Sequence, residues 1–168
     1  MVSAHEQSRQ AASPREAEIW RVLDGVADPE IPVVSVVELG MVRAVSAGEG
    51  GRVEVVMSPT YTGCPATDAI RQDVTRALEE AGLEDFTVRY RLTPPWTTDW
   101  ITEEGREKLQ RYGIAPPKAD REAAYGGAAC PRCGSADTEV VADFGSTPCK
   151  ASMRCKSCLE PFEHFKCI

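Results

Sequence analysis

The tightest constraint in the sequence is a repeated cysteine spacing. Cys130-Pro131-Arg132-Cys133 and Cys155-Lys156-Ser157-Cys158 are two Cys-x-x-Cys steps with 21 residues between them. Each step lets one tight turn present two thiolates to a single ion, and two steps complete a tetrahedral four-sulfur site. Gly134, directly after the first step, supplies the positive φ that such a turn tends to need. A segment this short buries too little apolar surface to fold alone, so a metal crosslink is expected on energetic grounds. We therefore expect one structural zinc per chain on Cys130, Cys133, Cys155 and Cys158. Glu139-Val140-Val141, Ala151-Ser152-Met153-Arg154 and Pro161 to Phe165 then read as the short strands of a zinc ribbon. An iron site and a redox dithiol are the competing readings of the same spacing.

A composition break separates this module from the rest. Ala115-Pro116-Pro117 runs into Ala124-Tyr125-Gly126-Gly127-Ala128-Ala129, a Pro-, Gly- and Ala-rich stretch without an apolar period. The expected organisation is a flexible polar tail over 1–12, an α/β (α+β) domain over 13–115, a linker over 116–129 and the ribbon over 130–168. Within the domain, Ser13-Pro14-Arg15-Glu16 is a helix start, with Ser13 as cap, Pro14 at the first helical position and Glu16 able to complete a capping box. Ile19, Val22, Leu23 and Val26 follow at helical spacing, and Asp28-Pro29-Glu30-Ile31-Pro32 ends the helix. Met41 to Val45 and Arg52 to Met57 read as a β-hairpin. Ile70, Val74, Ala77, Leu78 and Ala81 mark a second helix closed by Gly82, Phe86 to Leu92 alternates as a strand, and Thr102 caps a last helix ending near Gly113. The order is α-β-β-α-β-α, with a three-stranded sheet.

Charge narrows the function. The net charge is −7, with 13 basic against 19 acidic residues through Lys118 and 6 against 7 afterwards. Neither part has the cationic face that nucleic acid or an anionic membrane surface requires. No apolar run approaches the ~18 residues of a spanning helix, and the first residues lack the pattern of a secretory signal. A cytoplasmic location is expected, where clustered cysteines bind metal more often than they form disulfides. Phosphate loops, dinucleotide glycine motifs, di-iron Glu-x-x-His pairs and serine elbows are all missing.

Cys64 stands apart from the other six cysteines, in the loop Ser58-Pro59-Thr60-Tyr61-Thr62-Gly63-Cys64-Pro65 at a helix entrance. Unpaired amides and the positive end of the helix dipole there favour thiolate over thiol, and Gly63 allows a tight turn. The functional reading is a nucleophile, redox thiol or soft-metal ligand; the plain reading is a small buried apolar residue. A Cys–His dyad lacks a base, because the histidines are His5 in the tail and His164 in the ribbon. Asp28 and Glu30 read first as a turn motif and second as carboxylates near Cys64. Trp96 and Trp100 either pack their loop or form a partner surface. Cys149 and Cys167 are left as apolar fillers or a second thiol site near His164.

The stretches Asp28-Pro29-Glu30-Ile31-Pro32, Glu38-Leu39-Gly40-Met41-Val42 and Met57 to Pro65 together resemble the MIP18/DUF59 family over about residues 15–115. With Pro94-Pro95-Trp96-Thr97-Thr98-Asp99-Trp100, Phe144 to Ala151 and the ribbon, nearly the whole chain resembles the PaaD-like family of bacterial phenylacetate degradation. The resemblance implies an accessory role in place of catalysis. Cys64 would be the key residue, a candidate ligand for a transient iron or iron–sulfur cargo, with Asp28, Glu30 and Thr62 as supporting candidates. The implied partners are the protein components of the phenylacetyl-CoA oxygenase/reductase system and a second copy in a homodimer. A non-catalytic structural subunit of the phenylacetyl-CoA 1,2-epoxidase is the alternative.

Overall fold

The computed structural model describes residues 13–48, 50–117 and 128–166, and these form a mixed α+β structure with two sheets. The expected tail, most of the expected linker and Cys167 lie outside the described residues. The chain divides into two compact units, one ending at Trp96 and the other beginning at Thr97. That division falls earlier than the border expected from composition. The composition break marks where the chain loses its apolar period, whereas the division follows strand pairing.

The first unit opens with α1 (Pro14–Asp24), where Ser13 accepts from the Glu16 amide at 3.3 Å and Pro14 occupies the first turn. Ile19, Trp20 and Leu23 form its buried stripe. The Glu16 carboxylate accepts from the Ala47 amide at 3.1 Å, fastening the helix to the first strand. A full capping box instead sits at Ser35–Glu38, where the Glu38 carboxylate accepts from the Ser35 amide (2.9 Å) and Ser35 Oγ accepts from the Glu38 amide (3.0 Å). It fixes a buried, non-strand loop in which Val34, Val36, Val37 and Leu39 are almost wholly enclosed. β1 (Val42–Ala47) and β2 (Val53–Met57) form the expected antiparallel hairpin. α2 (Thr67–Glu80) then crosses over to β3 (Phe86–Tyr90), which pairs parallel to β2 from Val53↔Phe86 to Met57↔Tyr90. Parallel neighbours need such a crossover, and the central β2 is the most buried strand of the three. Trp96 is 3 % exposed and donates to the Leu39 carbonyl at 2.9 Å, so this tryptophan packs its loop.

In the second unit a 3₁₀ turn (Thr98–Trp100) leads to α3 (Glu103–Tyr112). Thr102 caps α3 by accepting from the Gly105 amide, and Gly113 closes it at φ 95°. β4 (Ile114–Ala115) pairs parallel with β7 (Pro161–Phe165), so helix α3 enters directly into the ribbon sheet. β5 (Thr138–Ala142) and β6 (Lys150–Cys155) complete the order β4-β7-β6-β5. Ala115, Ala128, Cys130, Met153, Cys155 and Phe162 form a small buried cluster behind the cysteine turns.

Candidate functional site

Two cysteine sites stand in the two units. In the ribbon, the sulfurs of Cys130, Cys133, Cys155 and Cys158 all lie within 4.8 Å of one another. Cys130 Sγ is 3.7 Å from Cys158 Sγ, and Cys133 Sγ is 3.6 Å from Cys155 Sγ. A tetrahedron with metal–sulfur bonds of about 2.3 Å has edges of about 3.8 Å, so the four sulfurs fit one ion. Cys130 and Cys155 face inward while Cys133 and Cys158 are exposed.

Local backbone chemistry builds this cage. The Gly134 amide donates to the Cys130 carbonyl at 2.8 Å, with Gly134 at φ 74°. The second turn has the same shape, but its positive-φ position is held by Leu159 at φ 65°. The Cys158 amide donates to Cys155 Sγ at 3.5 Å and pulls the Cys155 thiol below its ordinary range, while burial and the neighbouring sulfurs push the Cys158 thiol up, so without an ion the four sulfurs share protons. The sequence signals the first turn through its glycine and hides the second.

Cys149 is buried, with its sulfur 3.1 Å from Thr147 Oγ1. His164 is also buried, with Nδ1 3.1 Å from the Ala115 carbonyl. Among the described residues the four-sulfur set is the one group of three or more side chains close enough to hold an ion, and neither Cys149 nor His164 belongs to it.

Cys64 lies in the turn ahead of α2 and is partly exposed. Its amide donates to the Tyr61 carbonyl at 3.1 Å. Its carbonyl accepts from the Thr67 amide (3.2 Å) and the Thr67 hydroxyl (2.8 Å). Gly63 does not adopt a positive φ; its lack of a side chain matters because a Cβ there would come 3.0 Å from the Tyr61 ring.

The loop 28–31 brings its carboxylates into the electrostatic field of the sulfur. Asp28 Oδ1 accepts from the amides of Glu30 and Ile31, both at 2.8 Å, so Asp28 is the turn-former its sequence suggested. Burial raises the Cys64 thiol above its ordinary range; the Ala66 amide pulls it back, and Glu30 and Asp28 push it up further. The net direction is upward. The expectation of a resting thiolate at the helix mouth is corrected: partial desolvation and two carboxylates outweigh the amides. Thr62 is exposed, and the hydroxyl facing Cys64 is that of Thr67.

Tyr90 was not singled out by sequence. Its hydroxyl donates to the Thr67 carbonyl at 3.1 Å, and the Arg71 guanidinium lies 5.0 Å over its ring. Burial pushes its phenol up to about 12, so it remains a neutral donor bracing the turn. Its place in the alternating run Phe86 to Leu92 is the sequence signal that could have found it, and the structure sets it opposite Met57.

Family models match both of the cysteine-bearing segments. Residues 16–89 match the family described as iron–sulfur cluster assembly protein, and residues 114–166 match the PaaD zinc beta ribbon domain. A solved DUF59 structure from Bacillus anthracis superposes with a TM-score of 0.53 at 28 % identity, covering 55 % of this chain and 89 % of that one. The Fe-S protein maturation auxiliary factor of Porphyromonas gingivalis is 38 % identical over 95 residues, which is 56 % of this chain and 90 % of that protein. The class is thus a DUF59-type assembly domain joined to a metal-binding β-ribbon. A protein of Escherichia coli (strain K12), provisionally named as one of the subunits of the 1,2-phenylacetyl-CoA epoxidase, is 46 % identical over 160 residues, covering 94 % of this chain and 96 % of that protein. The chain belongs to the PaaD family.

Proposed function

We propose that this protein is an accessory factor of a phenylacetyl-CoA epoxidase system that matures its iron or iron–sulfur centres and does not turn over the substrate itself. The observation that carries the reading is Cys64: a single, partly exposed sulfur on a backbone-braced turn, beside Asp28 and Glu30. A lone thiolate releases what it binds by ligand exchange, which a closed four-sulfur site does not do readily. The carboxylates disfavour a bare thiolate but favour an arriving cation, so they suit a metal cargo better than free nucleophilic chemistry. Loading on Cys64 displaces the thiol proton to solvent and therefore weakens as pH falls. Cys64 supplies one ligand; a second copy in a homodimer, or the client protein, supplies the others.

Zinc is the ion we assign to Cys130, Cys133, Cys155 and Cys158, as a structural crosslink in the ribbon. The ribbon is the protein-docking module, and its near-balanced charge suits protein contact better than phosphate. The working location is the cytoplasm; among the described residues no helix is long and apolar enough to cross a membrane.

Metal and sulfide analysis of anaerobically purified wild type and Cys64→Ser tests the reading. We expect one zinc per chain in both, iron or sulfide in the wild type alone, and under-loaded epoxidase components in a Cys64→Ser strain. Fully loaded components in that strain would remove the cargo role. The raised thiol favours a second reading, a structural subunit of the epoxidase complex. That reading predicts stoichiometric co-purification and indifference to Cys64→Ser.

A further inference from the structure

The outer edge of the ribbon sheet carries an apolar surface that neither cysteine site uses. Among the described residues β5 pairs with β6 on one side, and no strand covers its other side. Val141 is 64 % exposed, and the register shift between Val140 and Ala142 leaves it without a partner on β6. Three residues on, Phe144 is 68 % exposed.

The loop that presents Phe144 is held fast. The Gly145 amide donates to the Lys150 carbonyl at 2.8 Å, and the Lys150 amide donates to the Thr147 carbonyl at 3.1 Å. Ser146 donates to the Glu163 carboxylate, which is itself ion-paired at 2.9 Å with the buried Lys150 ammonium. Lys166 Nζ donates to the Asp143 carbonyl at 3.0 Å and lies 4.4 Å from the Phe144 ring centroid. Scattered exposed apolar residues are ordinary. An aromatic kept in water by a loop tied at its base is different, because binding on it loses little further conformational freedom.

We propose that the outer edge of β5, with Val141 and Phe144, is a docking surface for an extended segment of another protein that carries an apolar side chain next to a carboxylate. The free strand edge asks for an extended backbone, and residues 138–140, ahead of the register shift, are where it can pair. Val141 and Phe144 ask for the apolar side chain. Lys166 asks for the acid: it contacts a carbonyl and a ring, and among the described residues no carboxylate pairs with it. Asp137 and Glu139 along the edge are already ion-paired with Lys156 and Arg154, so Lys166 is the cation left to meet an incoming carboxylate beside Phe144; a second copy of this chain is the competing occupant that the test separates. The surface rests on the docking role assigned to the ribbon and is independent of Cys64.

The test uses the full-length protein and the purified remaining components of the host's phenylacetyl-CoA epoxidase as the probe. Phe144→Ser and Lys166→Glu are expected to weaken binding at least tenfold with zinc content and melting temperature unchanged, whereas Leu92→Ser, an exposed apolar change in the other unit, leaves binding intact. Wild-type affinity in folded Phe144→Ser and Lys166→Glu overturns the surface. In parallel, a photo-crosslinking phenylalanine analogue replaces Phe144 in cells, and adduct peptides are sequenced. An adduct to an apolar segment bearing a carboxylate supports the surface. An adduct to a second copy of this chain, or none, overturns it. If the epoxidase components do not bind wild type while such an adduct forms to a different protein, the partner assigned under the proposed function fails. The surface then stands if a synthetic peptide of the adduct segment binds wild type and not Phe144→Ser or Lys166→Glu, and falls if it binds all three alike.

Discussion

At the scale of single residues, Cys64 and Leu159 are both set by backbone and neighbours more than by their own chemistry. Burial, Glu30 and Asp28 raise the Cys64 thiol, so its alkylation should follow a pH curve displaced to higher pH than that of a free cysteine. Removing one of the charges that disfavour the thiolate moves that curve down, so Glu30→Gln should alkylate faster than wild type at pH 8; iodoacetamide kinetics check both. Leu159 holds a positive φ with its side chain 68 % exposed, so it bears left-handed strain while losing little by truncation. Leu159→Gly should stabilise the metal-loaded ribbon by about 0.5–1 kcal/mol in denaturant titration, the relief of strain less glycine's entropy. The position of Cys64 was legible in the sequence because proline and glycine flank it at a helix entrance. Its proton affinity was not, because the deciding charges come from the earlier loop 28–31, and proximity across a fold leaves no mark in local spacing.

At the scale of elements, the ribbon hairpins were legible because two Cys-x-x-Cys turns with 21 residues between them have few other solutions, although β5 alone carries a β-branched run. The affiliation of α3 was not. Its caps, Thr102 and Gly113, define a helix wherever it packs, and the pairing of the two-residue strand Ile114–Ala115 with β7 is not marked in local sequence. The Ser13 cap was legible, whereas the reciprocal pair Ser35–Glu38 and the longer-range bond of Glu16 to Ala47 were not, because the spacing Ser-x-x-Glu is the same in both places. Between β6 and β7, Lys150 is 2 % exposed and its ammonium pairs with Glu163. Lys150→Met leaves the part-exposed carboxylate to Ser146 and water and should cost about 1–2 kcal/mol, read by urea unfolding of the metal-loaded protein, and Lys150→Met/Glu163→Leu should recover part of the loss. Burial alone would raise the Glu163 carboxyl, but Lys150 and Ser146 overcome it and hold it below its ordinary range. The pair's contribution is therefore present above the ordinary carboxylate pKa and is lost as pH falls through the depressed one. The Lys150→Met/Glu163→Leu protein should lack that acid limb.

For the whole molecule, two compact units imply two stabilities. Strong chelation should abolish amide-exchange protection in β5, β6 and β7 while that of β1, β2 and α2 persists, since the first unit rests on an apolar core with no four-sulfur cage. Simultaneous loss of both would mean the units fold as one. The raised Cys64 thiol has a consequence for survival in air. Peroxide attacks thiolate, so a sulfur kept protonated is oxidised slowly. Zinc, as proposed for the ribbon, would shelter its four sulfurs in a different way. If the proposed cargo role holds, a sulfur so arranged drifts toward sulfinic acid more slowly while unloaded than a resting thiolate would.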